Sequence, residues 1–569
     1  MSDSDYCGGS FRKYEGMSLL LSAVCDNLFV KDDDRGNGIR DEILQKPQTA
    51  TIDKLLQLLS SSYYIIERNY IDRDFIEDYA YYYARCFKQY PRKCCRVHFF
   101  GKGADAGQIN EILCGVFSNK WEERLNKVQQ SYLGFIVFRP LPSTVYAKVC
   151  LRPAVFDDSS LAISDIDVHL LGAKLKVKTI PFQEQDSVVA ACATSALWSA
   201  FQITGRKWMH CIPSPHRITR LATEGGACES RPFPSKGLTI GDVGRAIFKM
   251  GLSQQTLSTK EQEIFRAEVY AYLKMGVPLI MCGKIRAPGK KIDSDDWHAV
   301  TVAGFGMPTK AQSVLCGGVF LRGASVTTLY CNDDRLGPFF AFTGDPKNQD
   351  EDNKDGKAIK LKTYEKKRVL GSDCMEGIDS ERFTVKYVMA PVYHKLRIGF
   401  ADVFDALALL NQELLKCLED GKTAASLSIQ RLTWDLYLSA SVDVKCWVRN
   451  PELGLDVGVV AAICCSPMPK YVWVASALEN DRRLGTFLVD ATGIAQDLDV
   501  FDFIDGDDGF KSLLYCVAES VLKPSNEDVV IGDPDERERE SEAKRRYQLM
   551  AMRNPFMRSL FHMMRNGKR

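Results

Sequence analysis

Three features that would point directly to a common function are missing from this chain of 569 residues. Its 19 cysteines include no Cys-x-x-Cys pair, which argues against a zinc ribbon or a thioredoxin-like motif. Lysine and arginine total 74 against 73 aspartate and glutamate, so overall charge favours neither nucleic acid nor anionic lipid. No apolar run is long enough to span a bilayer, and none has the form of a signal peptide. With so many unpaired thiols, we expect a cytoplasmic protein without nucleic-acid or membrane partners.

Histidine is scarce, with seven in the whole chain, and one of them stands out. His298 immediately precedes the apolar run Ala-Val-Thr-Val-Ala-Gly-Phe, which predicts a β-strand that begins at the histidine. A strand end holds a catalytic base more rigidly than a loop tip does. The alternative is a hydrogen-bonded core histidine, which is the better interpretation if the motif stands alone.

A candidate nucleophile lies upstream, in the segment Ala-Ala-Cys192-Ala-Thr-Ser-Ala-Leu-Trp. The alanine-rich stretch Cys192–Gln202 predicts a helix, and both a helix N-terminus and a nearby imidazolium stabilise a thiolate. Asp186 and Ser187 are also good N-cap residues, and a helix that starts there would bury Cys192 in its second turn. The alternative to a nucleophile is a packed core cysteine.

A candidate orienting group lies downstream of the histidine. After the insertion Met307–Ala324, the chain is predicted to return as the strand Val326–Cys331 and to end in Asn-Asp-Asp. In an antiparallel pair the end of one strand lies beside the start of the other, which places Asn332 and Asp333 next to His298. Either side chain can orient an imidazole. We prefer Asp333, with Asn332 a close second, and the alternative is that they are ordinary turn formers.

An oxyanion donor is the last part of the set. Gln185 lies seven residues before Cys192, where its amide could donate to an oxyanion beside the backbone N–H of the cysteine. Gln183, nine residues before the cysteine, competes for this role, and a surface glutamine is an equally good interpretation.

This order of residues resembles the papain-like cysteine peptidases, especially the C39-like branch found in bacteria, over about residues 181–345. The resemblance implies an α+β domain in which a helix carrying the cysteine packs on an antiparallel sheet carrying the histidine and Asp/Asn. It also implies that Cys192 attacks a peptide carbonyl and that His298 shuttles the proton. Asp333 or Asn332 would then orient the imidazole, and Gln185 would complete the oxyanion hole. The Cys-Gly-x-Cys-Trp signature of papain is absent, and 35 residues separate His298 from Asp333.

The expected function is therefore a thiol-dependent hydrolase, foremost a cysteine endopeptidase acting on a protein or peptide, without cofactor or metal. Two alternatives stay open. The same triad serves transglutaminases and amidases, and a chain can keep the fold as an inactive scaffold or a binding and regulatory protein. The residues outside the resemblance are numerous enough to regulate the site.

Composition and charge divide the chain into five predicted parts. The first and fourth are predicted to be α/β accessory regions, with a strand near Val442–Val448 in the fourth. The last carries ten Lys/Arg against four Glu from Glu536 onward and is predicted to be a solvated helical tail, or else a basic arm that docks on a protein partner. The parts are an N-terminal region, 1–180; the peptidase-like domain, 181–345; a charged linker, 346–379; a C-terminal region, 380–530; and the tail, 531–569.

Overall fold

The computed structural model has an α+β fold in which helices accompany mainly antiparallel sheets. Among the described strands, one pair is parallel, and the prediction of α/β accessory regions is therefore corrected to α+β. The helices between neighbouring strands return the chain in the opposite direction rather than making parallel crossovers. Among the helices that the structure describes, none is long and apolar enough to cross a bilayer. The structure describes residues 11–29, 35–104, 107, 109, 121–154, 160–186, 188, 191–225, 237–286, 297–308, 313–344, 359–363, 382–419, 432–493, 500–522 and 554–558.

The chain forms two compact units that interleave along the sequence. The first unit comprises residues 1–259, 276–306 and 327–393, and the second comprises 260–275, 307–326 and 394–569. The five parts predicted from the sequence are contiguous ranges, whereas each of these units is made of separate segments. Two segments from within residues 181–345 belong to the second unit, where Tyr272 of one packs on Trp473 and Phe320 of the other pairs with Thr433.

The first unit contains two large sheets and a hairpin. In one sheet the strands follow chain order; in the other, the strand Lys360–Thr363 also pairs with Arg382–Tyr393 and closes the sheet on itself. The five-stranded sheet contains Phe11–Lys13, Ser61–Tyr70, Cys94–Gly101, Tyr132–Phe138 and Tyr146–Leu151; the seven-stranded sheet has the order Lys360–Thr363, Gly337–Gly344, Thr328–Asp333, Trp297–Gly306, Leu279–Arg286, Arg382–Tyr393 and Leu252–Thr256; and the hairpin is Ser164–Leu170 with Ala173–Thr179.

Helices pack on both sheets of the first unit. One of them begins at Cys192 and is buried on all sides from Ala193 to Gly205, which is typical of a central core helix. Its apolar side chains share a core with Ile280 and Ala299 of the seven-stranded sheet. The helices are Met17–Leu28, Arg35–Leu44, Pro47–Leu58, Arg73–Tyr81, Trp121–Ser131, Cys192–Trp208, Pro215–Thr223, Ile240–Lys249 and, as a short 3-10 turn, Tyr83–Arg85.

The second unit is built on one six-stranded sheet. The predicted insertion supplies its first two strands, and the second of these pairs in parallel with Thr433–Ala440. The strand order is Val314–Cys316, Val319–Leu321, Thr433–Ala440, Tyr471–Glu479, Arg482–Asp490 and Val500–Asp505, and the helices are Gln262–Lys274, Phe400–Glu419, Ser441–Trp447, Val457–Cys465 and Asp508–Leu522.

Three predictions for the C-terminal half of the chain have different outcomes. The prediction of a strand near Val442–Val448 is wrong, because Ser441–Trp447 is a helix. Its alternating apolar residues are typical of a strand, but tertiary context overrides such propensities. Within the predicted linker, Lys360–Thr363 is a strand, and the other linker residues, apart from 359, lie outside the described residues. The tail is described only at 554–558, where Phe556 is buried against Phe487 of its own unit.

Candidate active site

Cys192 is the first residue of the helix Cys192–Trp208, which we call the cysteine helix. This start settles the alternative left open by the sequence. Asp186 does not cap the helix, because the helix begins six residues later, and its carboxylate accepts hydrogen bonds from the Tyr83 hydroxyl and, at 2.9 Å, from the Val188 N–H. The N-cap residue is Ala191, whose methyl side chain cannot accept a hydrogen bond from the first N–H groups. These groups therefore present donors and the positive end of the helix dipole beside the thiol.

His298 is the second residue of the strand Trp297–Gly306, the histidine strand. This strand pairs antiparallel with Thr328–Asp333, the aspartate strand, in a register that sets Thr301 opposite Asn332. The predicted antiparallel arrangement is therefore present. It brings His298 Nε2 to 2.9 Å from Asp333 Oδ1, although the two residues are 35 positions apart in the chain.

Packing connects the cysteine helix to the histidine strand. The Thr301 hydroxyl donates to the carbonyl oxygen of Ala196 at 2.7 Å, deep in the core. The Cys192 thiol also acts on the ring, since it contributes to raising the pKa of His298. Because Nε2 faces Asp333, Nδ1 is the ring nitrogen that remains for a thiol.

The contact between His298 and Asp333 shifts the pKa values of both residues. Burial alone lowers the pKa of His298, but the charge and hydrogen bond of Asp333, with the Cys192 contact, outweigh it and raise the pKa to about 10. Burial acts in the opposite direction on Asp333, and the His298 charge overcomes it and lowers the pKa of the carboxyl to about 2. An imidazolium is therefore stabilised at neutral pH.

Two further side chains lie near the same ring nitrogen, and no sequence pattern pointed to a role for either. Asp334 Oδ1 lies 3.6 Å from His298 Nε2, and Arg335 Nε lies 3.4 Å from it. Arg335 also contacts Asp333 Oδ2 at 3.3 Å through its guanidinium. Burial raises the pKa of Asp334 to about 7, and the Asp333 charge adds to this against the opposing charges of His298 and Arg335. Their place directly after Asp333 is the only sequence signal for them.

We expect Asp334→Asn to gain stability relative to the wild type as the pH rises. The pKa of the folded Asp334 carboxyl, about 7, lies above its ordinary value of 3.8, so the folded state favours the protonated form. That contribution is complete below about pH 3.8 and is lost as the pH rises through about 7. Denaturant unfolding in EDTA at pH 5 and pH 8 measures it, with a relative gain of about 1–3 kcal/mol expected at pH 8. A gain that is equal at both pH values contradicts a buried, ionising Asp334.

The remaining predicted site residues have no hydrogen bond to the imidazole among the described residues. Asn332 donates to the carbonyl oxygen of Pro181 at 3.1 Å and accepts from the Phe339 N–H at 3.2 Å, so its amide stabilises backbone. Gln185 is half-buried and has no hydrogen bond within the described ranges. Its oxyanion role stays a prediction. Gln183 is buried, and its Oε1 atom also has no hydrogen-bond partner among the described residues.

The turn after Asp333 is held by the N-terminal helix Pro47–Leu58, a contact that no local sequence pattern signals. The Gln48 amide donates to the carbonyl oxygen of Asp334 at 2.8 Å, and the Thr51 hydroxyl donates to that of Leu336 at 2.6 Å. Gly337 has a φ of +118°, and a Cβ there would lie 2.8 Å from Thr51. The helix Pro47–Leu58 thus helps to shape the candidate site.

Comparisons with known proteins do not assign this chain to a family. Scans of family models, of curated proteins and of solved structures each gave no match. Function is therefore argued from the site alone.

Proposed function

We propose that this protein is a thiol-dependent hydrolase, foremost a cysteine endopeptidase, with Cys192 as nucleophile, His298 as base and Asp333 as orienting group. The observation that carries the proposal is the position of His298, which bonds Asp333 through Nε2 at 2.9 Å and whose pKa the Cys192 thiol helps to raise. The papain-like fold belongs to the proposal. A buried helix that begins at the cysteine and packs on an antiparallel sheet with the other two residues supports it.

The first half of the proposed reaction forms a thioester. His298 Nδ1 takes the proton of the Cys192 thiol, and the sulfur attacks the carbonyl carbon of the scissile amide. The carbonyl oxygen becomes an oxyanion, which the N–H groups at the start of the cysteine helix stabilise. The imidazolium then gives its proton to the leaving amine, and the C–N bond breaks.

The second half regenerates the enzyme. His298 takes a proton from water, and the resulting hydroxide attacks the thioester carbon through a second oxyanion. The C–S bond breaks, the acid product leaves and the proton returns to the thiolate. Asp333 stays ionised throughout and holds Nε2–H, which fixes the tautomer that presents Nδ1 to sulfur.

The test is the reactivity of Cys192 in the full-length protein. Under limiting iodoacetamide at neutral pH, peptide mapping should show Cys192 alkylated at least tenfold faster than Cys211, because the imidazolium and the helix N-terminus stabilise its thiolate. Cys211 is a matched control, since it is an exposed thiol of the same unit. His298→Ala should remove the difference.

Proteolysis is tested separately. Host lysate is incubated with wild type or Cys192→Ala, and new N-termini are identified by mass spectrometry. We expect N-termini that appear only with the wild type. Equal labelling of Cys192 and Cys211 contradicts an activated thiol, whereas fast labelling without new N-termini favours a different acyl-transfer reaction on the same triad.

A further inference from the structure

We propose that His298, through Nε2, binds a divalent transition-metal ion, Zn²⁺ above all, together with Asp333 and Asp334. The ion-binding part of this inference stands on geometry alone. Its consequence, inhibition of thiol chemistry, rests on the proposed function.

The donor atoms have the spacing of a zinc site. Imidazole nitrogen and carboxylate oxygen bind Zn²⁺ at about 2.0–2.2 Å, so donors in a tetrahedral site lie roughly 3.3 Å apart. His298 Nε2 lies 2.9 Å from Asp333 Oδ1 and 3.6 Å from Asp334 Oδ1, which brackets that separation. The three ligand atoms all lie within 4.8 Å of one another. Three protein ligands leave a fourth position for water.

Asp334 is the independent observation that points to a ligand. Its side chain is 2% exposed and directed at His298 Nε2. Within the described part of the chain, neither of its carboxylate oxygens has a hydrogen-bond partner. A buried carboxylate without hydrogen bonds is costly, and coordination of a cation relieves that cost. Asp333 already orients the histidine, so catalysis does not account for a second buried carboxylate at the same nitrogen.

Arg335 is the group with which the ion competes. Its guanidinium contacts both His298 Nε2 and Asp333 Oδ2. The side chain is 32% exposed and comes from the turn after the aspartate strand, so rotation toward solvent can vacate the position. The incoming ion brings two positive charges, in place of the guanidinium and the proton on Nε2. Removing the Arg335 guanidinium should therefore raise metal affinity, whereas removing the Asp334 carboxylate should lower it.

The consequence for thiol chemistry follows from the two ring nitrogens. A neutral imidazole that coordinates metal through Nε2 carries its proton on Nδ1. Nδ1 then has no lone pair with which to take the thiol proton. The ion thus inhibits the thiol without binding its sulfur, by holding the base in the wrong tautomer.

Cobalt titration of the full-length protein tests the site. Co²⁺ in a nitrogen and oxygen site shows visible d–d bands without the sulfur-to-cobalt charge-transfer absorption that thiolate ligands give, which separates this site from the exposed cysteines. We expect one such ion per chain, displaced by Zn²⁺. Asp334→Asn should weaken binding at least tenfold, Arg335→Gln should strengthen it several-fold, and Cys192→Ala should leave it unchanged.

The outcomes separate this inference from the proposed function. Equal binding by wild type and Asp334→Asn, or a spectrum composed only of thiolate bands, overturns the metal site. Loss of binding in Cys192→Ala also overturns it, because the sulfur is then a ligand. Metal binding with the expected variant pattern in a protein whose Cys192 is not activated supports the site and contradicts the hydrolase. Far-UV circular dichroism of each variant checks the fold.

Discussion

Asp333→Asn is expected to slow any hydrolysis that depends on Cys192 by about 10²–10⁴-fold at neutral pH, and to bring alkylation of Cys192 close to the rate of Cys211. Asp333 is fully buried, and its oxygen lies 2.9 Å from His298 Nε2. Without its charge, burial dominates and lowers the pKa of His298, so the imidazolium that stabilises the thiolate is lost. An asparagine also permits the tautomer with its proton on Nδ1, which cannot act as the base.

The same substitution should change the pH dependence of stability with a defined sign. The pKa of His298 is raised from 6.5 to about 10, so its contribution is complete below about pH 6.5 and is lost as the pH rises through about 10. The pKa of Asp333 is lowered from 3.8 to about 2, so the contribution of the same pair is present above pH 3.8 and is lost as the pH falls through about 2. The stability difference between wild type and Asp333→Asn should therefore be greatest between about pH 4 and pH 6.5.

The control for Asp333 is Asp165→Asn, an exposed aspartate on the hairpin strand Ser164–Leu170 of the same unit. It should alter neither alkylation nor the pH profile of unfolding. If Asp333→Asn folds, as judged by circular dichroism, and alkylates Cys192 at the wild-type rate, then Asp333 does not control the imidazole and the proposed triad fails.

Trp198→Ala is expected to lower the free energy of unfolding by about 3–5 kcal/mol, the largest stability effect that we predict. Trp198 is wholly buried in the second turn of the cysteine helix. Its indole N–H donates to Asp74 Oδ2 at 3.2 Å, and the Lys148 ammonium lies 5.7 Å from its ring. Lys148 also pairs with Asp74 at 3.0 Å, so the substitution creates a cavity and removes a donor from a buried charged cluster.

Two further variants divide this effect into its parts. Trp198→Phe keeps most of the ring volume and loses the N–H, and it should cost less than half as much. Trp297→Ala removes a tryptophan that is 45% exposed and should change stability by less than about 1 kcal/mol. If Trp198→Ala unfolds at the same denaturant concentration as Trp297→Ala, the contacts of Trp198 with Asp74 and Lys148 do not stabilise the cysteine helix.

The contacts of Trp198 bear on whether the N-terminal region can be removed to test regulation of the site. Residues 1–259 lie in one compact unit with the histidine and aspartate strands. Asp74 and Lys148 contact the cysteine helix, and Gln48 holds the turn after Asp333. Removing the N-terminal region would therefore damage the site rather than release it. Point variants in the full-length chain are the appropriate experiment.

The sequence was sufficient for features that depend on short-range pattern. The apolar run after His298 predicted its strand, and the alanine-rich stretch after Cys192 predicted its helix, because both signals lie within a few neighbouring residues. The helix start was open from sequence, since Asp186 and Ser187 are also good caps. The structure starts the helix at Cys192 and bonds Asp186 instead to Tyr83, 103 residues away.

Long-range pairing accounts for what the sequence did not determine. The sequence left Asn332 a close second to Asp333, whereas strand register and the backbone bonds of Asn332 place Asp333, and not Asn332, against the imidazole. Asp334 and Arg335 received no role from the sequence, because nothing local distinguishes a buried carboxylate from an exposed one. Short-range sequence pattern identified the helix and strands that carry Cys192, His298 and Asp333. The tertiary fold decided which side chains reach the imidazole, because that depends on packing between segments far apart in the chain.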